Sequence, residues 1–240
     1  MTSQAVIRCL LFDIDGTLVN SHEFGHTATN EVLIAQGFSP VSVEDYKMGC
    51  IYTTPRRLAW HATRDPNAII GIQLGLAFDA LYISRVTCHD PPIFKEISAA
   101  LEVLHICLPD LIFGAVTNAS GRYGRAVIAA HADTSFRRFT LALGADDVAA
   151  PKPAADGLLA AARTLGVCPT QCIYVGDAVG DGLAATAAGM SSIGVAWGGE
   201  INTSNTTEIS SKDNWSQNFT AIATNTSEFL ALLIQQPSSS

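Results

Sequence analysis

Asp13 and Asp15 flank one bulky apolar residue in Phe12-Asp13-Ile14-Asp15-Gly16-Thr17-Leu18, directly after the apolar run Val6 to Phe12. Two carboxylates side by side repel unless a cation or a shared proton relieves them. The pair therefore reads as a metal site or an acid–base pair. Three more polar signatures follow apolar runs: Thr117-Asn118, Lys152-Pro153, and Asp177 with Asp181. Together they offer four carboxylates, one ammonium and a hydroxyl–amide pair, an inventory that suits phosphoryl transfer. Carboxylates hold a hard cation such as Mg²⁺. Lys152 can neutralise a phosphoryl group, and Thr117 offers its hydroxyl and backbone N–H to phosphate oxygens. One carboxylate can attack phosphorus.

These groups meet only if the elements before them are parallel strands of one sheet. The run ending at Phe12 has no polar face, as expected of a buried parallel strand. Leu111–Val116, Phe139–Leu143, Cys172–Val175 and Ser192–Trp197 read as further strands. Helices are expected between them at 97–104, 122–131, 156–165 and 183–188, with a last one at 226–233. Strand alternating with helix predicts a doubly wound parallel α/β sheet, whose strand C-termini open on one crevice. Residues 20–92 break the pattern. Helical spacing at 26–36, from Thr54 on, and at 68–86, with no strand alternation, predicts a smaller all-helical domain there. The core domain is then 1–19 and 93–240. Gly198 to Asn218, rich in Asn, Ser and Thr, reads as an exposed excursion, and Gln235 to Ser240 as a frayed tail.

The chain has 240 residues, 48% of them hydrophobic, with a net charge of −8 and pI about 5.1. That acidic balance speaks against nucleic acid or an anionic membrane as a partner, but not against a small phosphorylated metabolite. No apolar stretch reaches the roughly 20 residues needed to span a bilayer. No signal peptide is evident, so the expected location is the cytoplasm and the expected state a monomer or homodimer. The six scattered cysteines read as thiols in a reducing compartment, with Cys168 and Cys172 the one spacing that allows a metal or redox pair. The Asn-X-Ser/Thr sequons, at Asn118, Asn202, Asn205, Asn214, Asn218 and Asn225, read as products of composition.

The four signatures, in order along nearly the whole chain, resemble the haloacid-dehalogenase superfamily of phosphohydrolases: Asp13-Ile14-Asp15-Gly16-Thr17-Leu18, Thr117-Asn118, Lys152-Pro153 and Gly176-Asp177-Ala178-Val179-Gly180-Asp181. Ala187-Ala188-Gly189-Met190 and Gly194-Val195-Ala196-Trp197-Gly198 look like its phosphoglycolate-phosphatase-like branch. The resemblance implies an Asp13 nucleophile that forms an aspartyl-phosphate, and Asp15 as general acid and then base. It implies Mg²⁺ on Asp13, the Asp15 carbonyl and Asp177, supported by Asp181. Thr117, Asn118 and Lys152 would hold the phosphoryl group, and the helical segment would be a mobile cap. Lys47 and Arg56, with Arg57, are the cap cations expected to reach substrate. The implied activity is hydrolysis of a small phosphomonoester, with 2-phosphoglycolate the single best choice. A phosphosugar mutase, or a phosphatase for another sugar phosphate or a nucleotide, shares the motifs. A haloacid dehalogenase has no use for Asp15, and a phosphonate hydrolase would need a cap lysine, for which Lys47 is the candidate. Departures from the pattern are Ala178 where Ser or Thr is common, and Ser120-Gly121 in place of a lysine.

Overall fold

All four residues of β1 (Cys9–Phe12) are buried, and a strand with no polar face must lie between other strands with helices on both sides. In the computed structural model, which describes residues 6–197 and 215–234, it does. β1 pairs in parallel with β2 (Ile112–Val116) on one side and β4 (Cys172–Gly176) on the other. β3 (Phe139–Leu143), β5 (Ser191–Val195) and β6 (Ala221–Ala223) complete a six-stranded sheet in the order β3-β2-β1-β4-β5-β6. All the pairings are parallel. Strand order reverses between β1 and β4, and the crevice for ligands opens at that reversal.

Alternation along β1 sends its side chains to two cores. Leu10 and Phe12 join Phe113, Tyr123, Val127 and Phe229 on one face. Cys9 and Leu11 join Tyr174, Leu158, Ala161 and Ala184 on the other. The first face is covered by α5 (Lys95–Cys107), α6 (Gly121–Ala130) and α9 (Thr226–Leu233), the second by α7 (Asp156–Thr164) and α8 (Val179–Ala188).

Between β1 and α5 the chain forms α1 (His22–Ala35), α2 (Val43–Gly49), α3 (Thr54–Thr63) and α4 (Ile70–Ser84). The two ends of this helical stretch are pinned together. Asn20 N donates to Pro92 O at 2.8 Å and Phe94 N to Leu18 O at 3.1 Å, around an antiparallel bridge between Val19 and Ile93.

The structure differs from expectation at a few ends. α1 begins at His22, four residues earlier than its apolar spacing suggests. α8 begins at Val179 instead of Leu183, which puts Asp181 inside the first turn. β6 is three residues long and shows no alternation of its own, so nothing in its sequence marks it. The six cysteines are unpaired, with Cys168 exposed and Cys172 buried in β4, so no disulfide joins that pair. The excursion from Gly198 to Asn214, with the sequons at Asn202, Asn205 and Asn214, and the tail Gln235 to Ser240 lie outside the described residues. No helix among the described residues is long and apolar enough to cross a membrane.

His61 makes the α2–α3 packing pH-sensitive. It is buried against Tyr46, its ring 6.1 Å from the tyrosine ring and nearly parallel to it, and neither ring nitrogen has a hydrogen-bond partner. Burial, with the Arg57 and Arg64 charges, pushes its pKa down to about 3. The unfolded chain takes up this proton below about pH 6.5 and the folded chain refuses it, so stability falls as pH falls through that window. The slope is at most about 1.4 kcal/mol per pH unit, less whatever solvent screening removes. Melting temperature measured from pH 7 to pH 5 should therefore drop, and drop less steeply in His61→Phe. Equal slopes in the two proteins would show that His61 is not responsible.

Candidate active site

The loop after β1 turns back on itself at once. Leu18 N and Val19 N both donate to Ile14 O, at 2.9 and 3.0 Å, while Gly16 N donates to Val19 O at 2.9 Å. Gly16 takes φ +81°, a conformation that side chains disfavour, and a Cβ there would lie 2.6 Å from Asp177 Cγ. The missing side chain is what lets the β1 and β4 loops close on each other. Asp13 N donates to Val175 O at 2.8 Å, continuing the β1–β4 ladder one residue past the strand.

Three carboxylates gather at this reversal. Asp13, Asp177 and Asp181, all buried, present oxygens within 4.8 Å of one another, the one such metal-competent group among the described residues. Lys152 is their ammonium. Its Nζ lies 2.9 Å from Asp13 Oδ1 and 2.6 Å from Asp181 Oδ1, and donates to the Tyr174 hydroxyl at 2.7 Å. Tyr174 in turn donates to Val116 O at 2.7 Å. Thr17 Oγ1 donates to Asp177 Oδ1 at 3.2 Å. Two indoles fix the loop backbones: Trp197 Nε1 donates to Thr17 O at 2.8 Å and Trp215 Nε1 to Asp177 O at 2.6 Å.

Three negative charges against one positive leave the cluster short of cations. Burial pushes the Asp13 carboxyl well up; Lys152 pulls it down, and Asp181 and Asp177 push it up again. Burial opposes the Lys152 charge, but Asp13 and Asp181 outweigh it and hold its pKa above the ordinary value. The 2.9 Å contact supports the charged form of Lys152, with Asp13 the member that burial strains. Asp13 Oδ1, despite that contact, has no aligned hydrogen-bond donor. A donor set of buried carboxylate oxygens with unbalanced negative charge fits a hard divalent cation.

The other sequence-predicted residues fall into separate groups. Asp15 faces the same cavity, but its carboxylate is not in the cluster. Its Oδ1 accepts from the Tyr123 hydroxyl at 2.8 Å, from a tyrosine that is fully buried on α6. Asn118 engages the backbone of Lys152, with Nδ2 donating to its O at 2.9 Å and Oδ1 accepting from its N at 3.0 Å. Thr117 requires a correction. Its backbone N–H is spent on Leu143 O at 2.9 Å in the sheet, so only its hydroxyl remains to meet a phosphate. That hydroxyl accepts from Ala119 N at 3.0 Å and keeps its proton to donate. Asp181 does two jobs, taking Lys152 on Oδ1 and capping Ala178 N on Oδ2 at 3.0 Å.

Asp13, Asp15, Thr117, Asn118, Lys152, Asp177 and Asp181 line one cavity of about 330 Å³, roofed by Tyr46, Cys50, Tyr52, Arg57, Phe78 and Tyr82 of the helical stretch. Lys47 and Arg56 do not line it; both are exposed, with the Arg56 guanidinium 5.5 Å from the Tyr52 ring centroid. Arg57 does. α3 buries Thr54, Arg57, Leu58 and His61, the i, i+3, i+4, i+7 face. Tyr123 and Tyr174 escaped sequence reasoning because aromatic residues on a strand or an amphipathic helix normally signal core.

The sequence profile of the haloacid dehalogenase-like hydrolases matches residues 10–195. The phosphoglycolate phosphatase of Xylella fastidiosa is 34% identical over 198 residues, 82% of this chain and 83% of that protein. The phosphoglycolate phosphatase of Photorhabdus laumondii is 30% identical over 196 residues, 80% and 81% of the two chains. CbbY from Rhodobacter sphaeroides, solved in complex with phosphate, shares the fold at TM-score 0.74 and 20% identity over 93% of this chain and 96% of its own. A predicted phosphoglycolate phosphatase from Haemophilus somnus does so at TM-score 0.74 and 19% identity, over 98% and 100%. With that profile spanning β1 to β5 and its site at their C-terminal ends, the chain belongs to the haloacid dehalogenase-like hydrolases and is a phosphoric monoester hydrolase of the phosphoglycolate-phosphatase-like kind, acting on a small phosphorylated compound.

Proposed function

We propose that this enzyme hydrolyses a small phosphomonoester, 2-phosphoglycolate first among them, through a phosphorylated Asp13, with Mg²⁺ as its cation. The observation that carries the reading is the cluster of three buried carboxylates and one lysine at the ends of adjacent strands. The likeness to the Xylella fastidiosa phosphoglycolate phosphatase supports the substrate.

Asp13 attacks phosphorus through a carboxylate oxygen, forming the acyl-phosphate bond as the ester P–O bond breaks. Asp15 gives its proton to the departing alkoxide. Tyr123 holds one Asp15 oxygen, which leaves the other to carry that proton. Water then attacks the acyl-phosphate, Asp15 takes its proton back, and inorganic phosphate leaves with Asp13 restored. Lys152 and the Thr117 hydroxyl bind the phosphoryl oxygens, and Asn118 fixes the loop that carries Lys152. Asp13, Asp177 and the Asp15 carbonyl would hold the Mg²⁺, with Asp181 behind them. When bound, the cation supplies the positive charge that Lys152 alone does not, next to the phosphoryl group. Residues 20–92 act as a cap domain that keeps bulk water out during the first step.

Phosphate release from 2-phosphoglycolate, p-nitrophenyl phosphate and a set of sugar phosphates and nucleotides, with MgCl₂ and with EDTA, tests this. The expected result is Mg²⁺-dependent release, EDTA-sensitive and restored by added Mg²⁺, with the highest kcat/KM on 2-phosphoglycolate. No release from any ester would end the hydrolytic reading. Isomerised product without free phosphate would replace it with phosphoryl recapture.

A further inference from the structure

Trp215 lies beyond residues 10–195, the span that the family profile matches, and is the first described residue after the polar excursion. Its side chain is 2% exposed. The ring packs with Ala196 and Phe219, against Val179 and Ile222, in a small core of its own. The Phe219 ring lies 5.1 Å away, tilted by 49°. The turn that carries Trp215 is pressed onto the start of α8, where a Cβ on Gly182 would overlap Asn218 O.

Apolar packing alone calls for no N–H at this position. A buried indole N–H needs an acceptor, and here it is Asp177 O at 2.6 Å. The same peptide is held from its other side, where Ala178 N donates to Asp181 Oδ2 at 3.0 Å. Asp177 is the first residue past β4, and the β4–β5 pairing ends before it, at Gly176 and Gly194. With both polar atoms of the peptide bonded, its plane is fixed and so is the direction of the Asp177 Cα–Cβ bond. Thr17 Oγ1 then sets the carboxylate itself, at 3.2 Å from Oδ1. Bonds of this kind aim a carboxylate at a cation, and losing one costs about 10–100-fold in metal affinity.

We propose that Trp215 is a positioning residue for the cation site: its indole N–H fixes the Asp177 peptide, and through it the carboxylate that meets Mg²⁺. Trp215 does not line the cavity, so it acts through Asp177 and not on the substrate. This rests on the cation reading above, and it adds a residue from outside the matched span on which that site depends.

Calorimetric titration of the metal-free whole protein with MgCl₂ tests it without turnover. Trp215→Phe keeps an aromatic ring and loses the N–H. Its Kd for Mg²⁺ should rise at least about tenfold, while phosphate release at saturating Mg²⁺ recovers most of its rate. Phe219→Leu loosens the same small core and keeps the indole bond, so it should bind Mg²⁺ as the wild type does. An unchanged Kd in Trp215→Phe would overturn the positioning role. So would an equal rise in Phe219→Leu, since packing and not the bond would then set the site. The wild type gives a second reading if Trp215→Phe fails to fold. The chain has three tryptophans, and their indole N–H resonances can be assigned through Trp60→Phe and Trp197→Phe. The Trp215 resonance should shift as Mg²⁺ binds, with the midpoint found by calorimetry; a resonance that stays in place would overturn the proposal. Failure of the wild type to bind Mg²⁺ would sink the cation reading and this inference with it. Binding that Trp215→Phe leaves untouched would sink this inference alone.

Discussion

Asp13→Asn is expected to lower phosphate release by at least about 10³-fold, the scale seen when an enzyme loses its nucleophile. The effect on stability should have the opposite sign. Burial and the neighbouring Asp181 and Asp177 charges already hold the Asp13 carboxyl well above its ordinary pKa, against the pull of Lys152. A neutral amide removes one of three clustered carboxylates and leaves Lys152 its 2.6 Å partner, Asp181. In EDTA the variant should therefore melt no lower than the wild type. Phosphate release and thermal melting in EDTA check both halves. Activity above about a tenth of wild type would remove Asp13 from the nucleophile's role. A markedly lower melting temperature would show instead that Asp13 is the main support of Lys152.

Gly16→Ala is expected to damage the site without touching a carboxylate. An alanine at φ +81° carries backbone strain of about 1 kcal/mol. Its Cβ would also sit 2.6 Å from Asp177 Cγ. Asp177 has little freedom to retreat, because Thr17 bonds its carboxylate and the Trp215 indole bonds its carbonyl. The combined loss of stability should be about 2–3 kcal/mol. The Mg²⁺ concentration for half-maximal activity should rise by about 10–100-fold, as when the support around a metal ligand is disturbed. Urea unfolding measures the first and a Mg²⁺ titration of phosphate release the second. An unchanged Mg²⁺ midpoint would mean that Asp177 is not held by this close approach.

The grouping of these side chains was legible in the sequence because they lie at or soon after apolar runs, and parallel strands bring such positions to one edge. That reasoning reached Asp13, Lys152, Asp177 and Asp181, which the structure gathers within a few ångströms. It did not separate Arg57 from Arg56. Adjacent residues on a helix differ in direction by about 100°, and the choice depends on how α3 is rotated. The spacing Thr54, Arg57, Leu58, His61 held that information, since Leu58 marks the inward face. The start of α8 was obscured by Gly180 and Gly182, poor helix formers whose propensity the packing against β4 and β5 overrides. Tyr123 could not be read at all. Its tie to Asp15 joins residues 108 apart in the chain, and nothing local to either announces it.

The crossing at Leu18–Asn20 and Pro92–Phe94 has a consequence for how such a chain can change. Because Asn20 is bonded to Pro92 and Phe94 to Leu18, everything between them leaves and re-enters the sheet domain through one stapled doorway. Loop-closure entropy depends only logarithmically on the length of what lies beyond that doorway. Changing the length of chain there would break no pairing of the sheet, but α4 packs on α6 and the Tyr82 ring lies 4.6 Å from the Tyr123 ring, so the helices of the roof must keep that shared core. The roof of the cavity is thus supplied by one continuous stretch of chain, and the buried carboxylates of its floor by the strand ends outside that stretch.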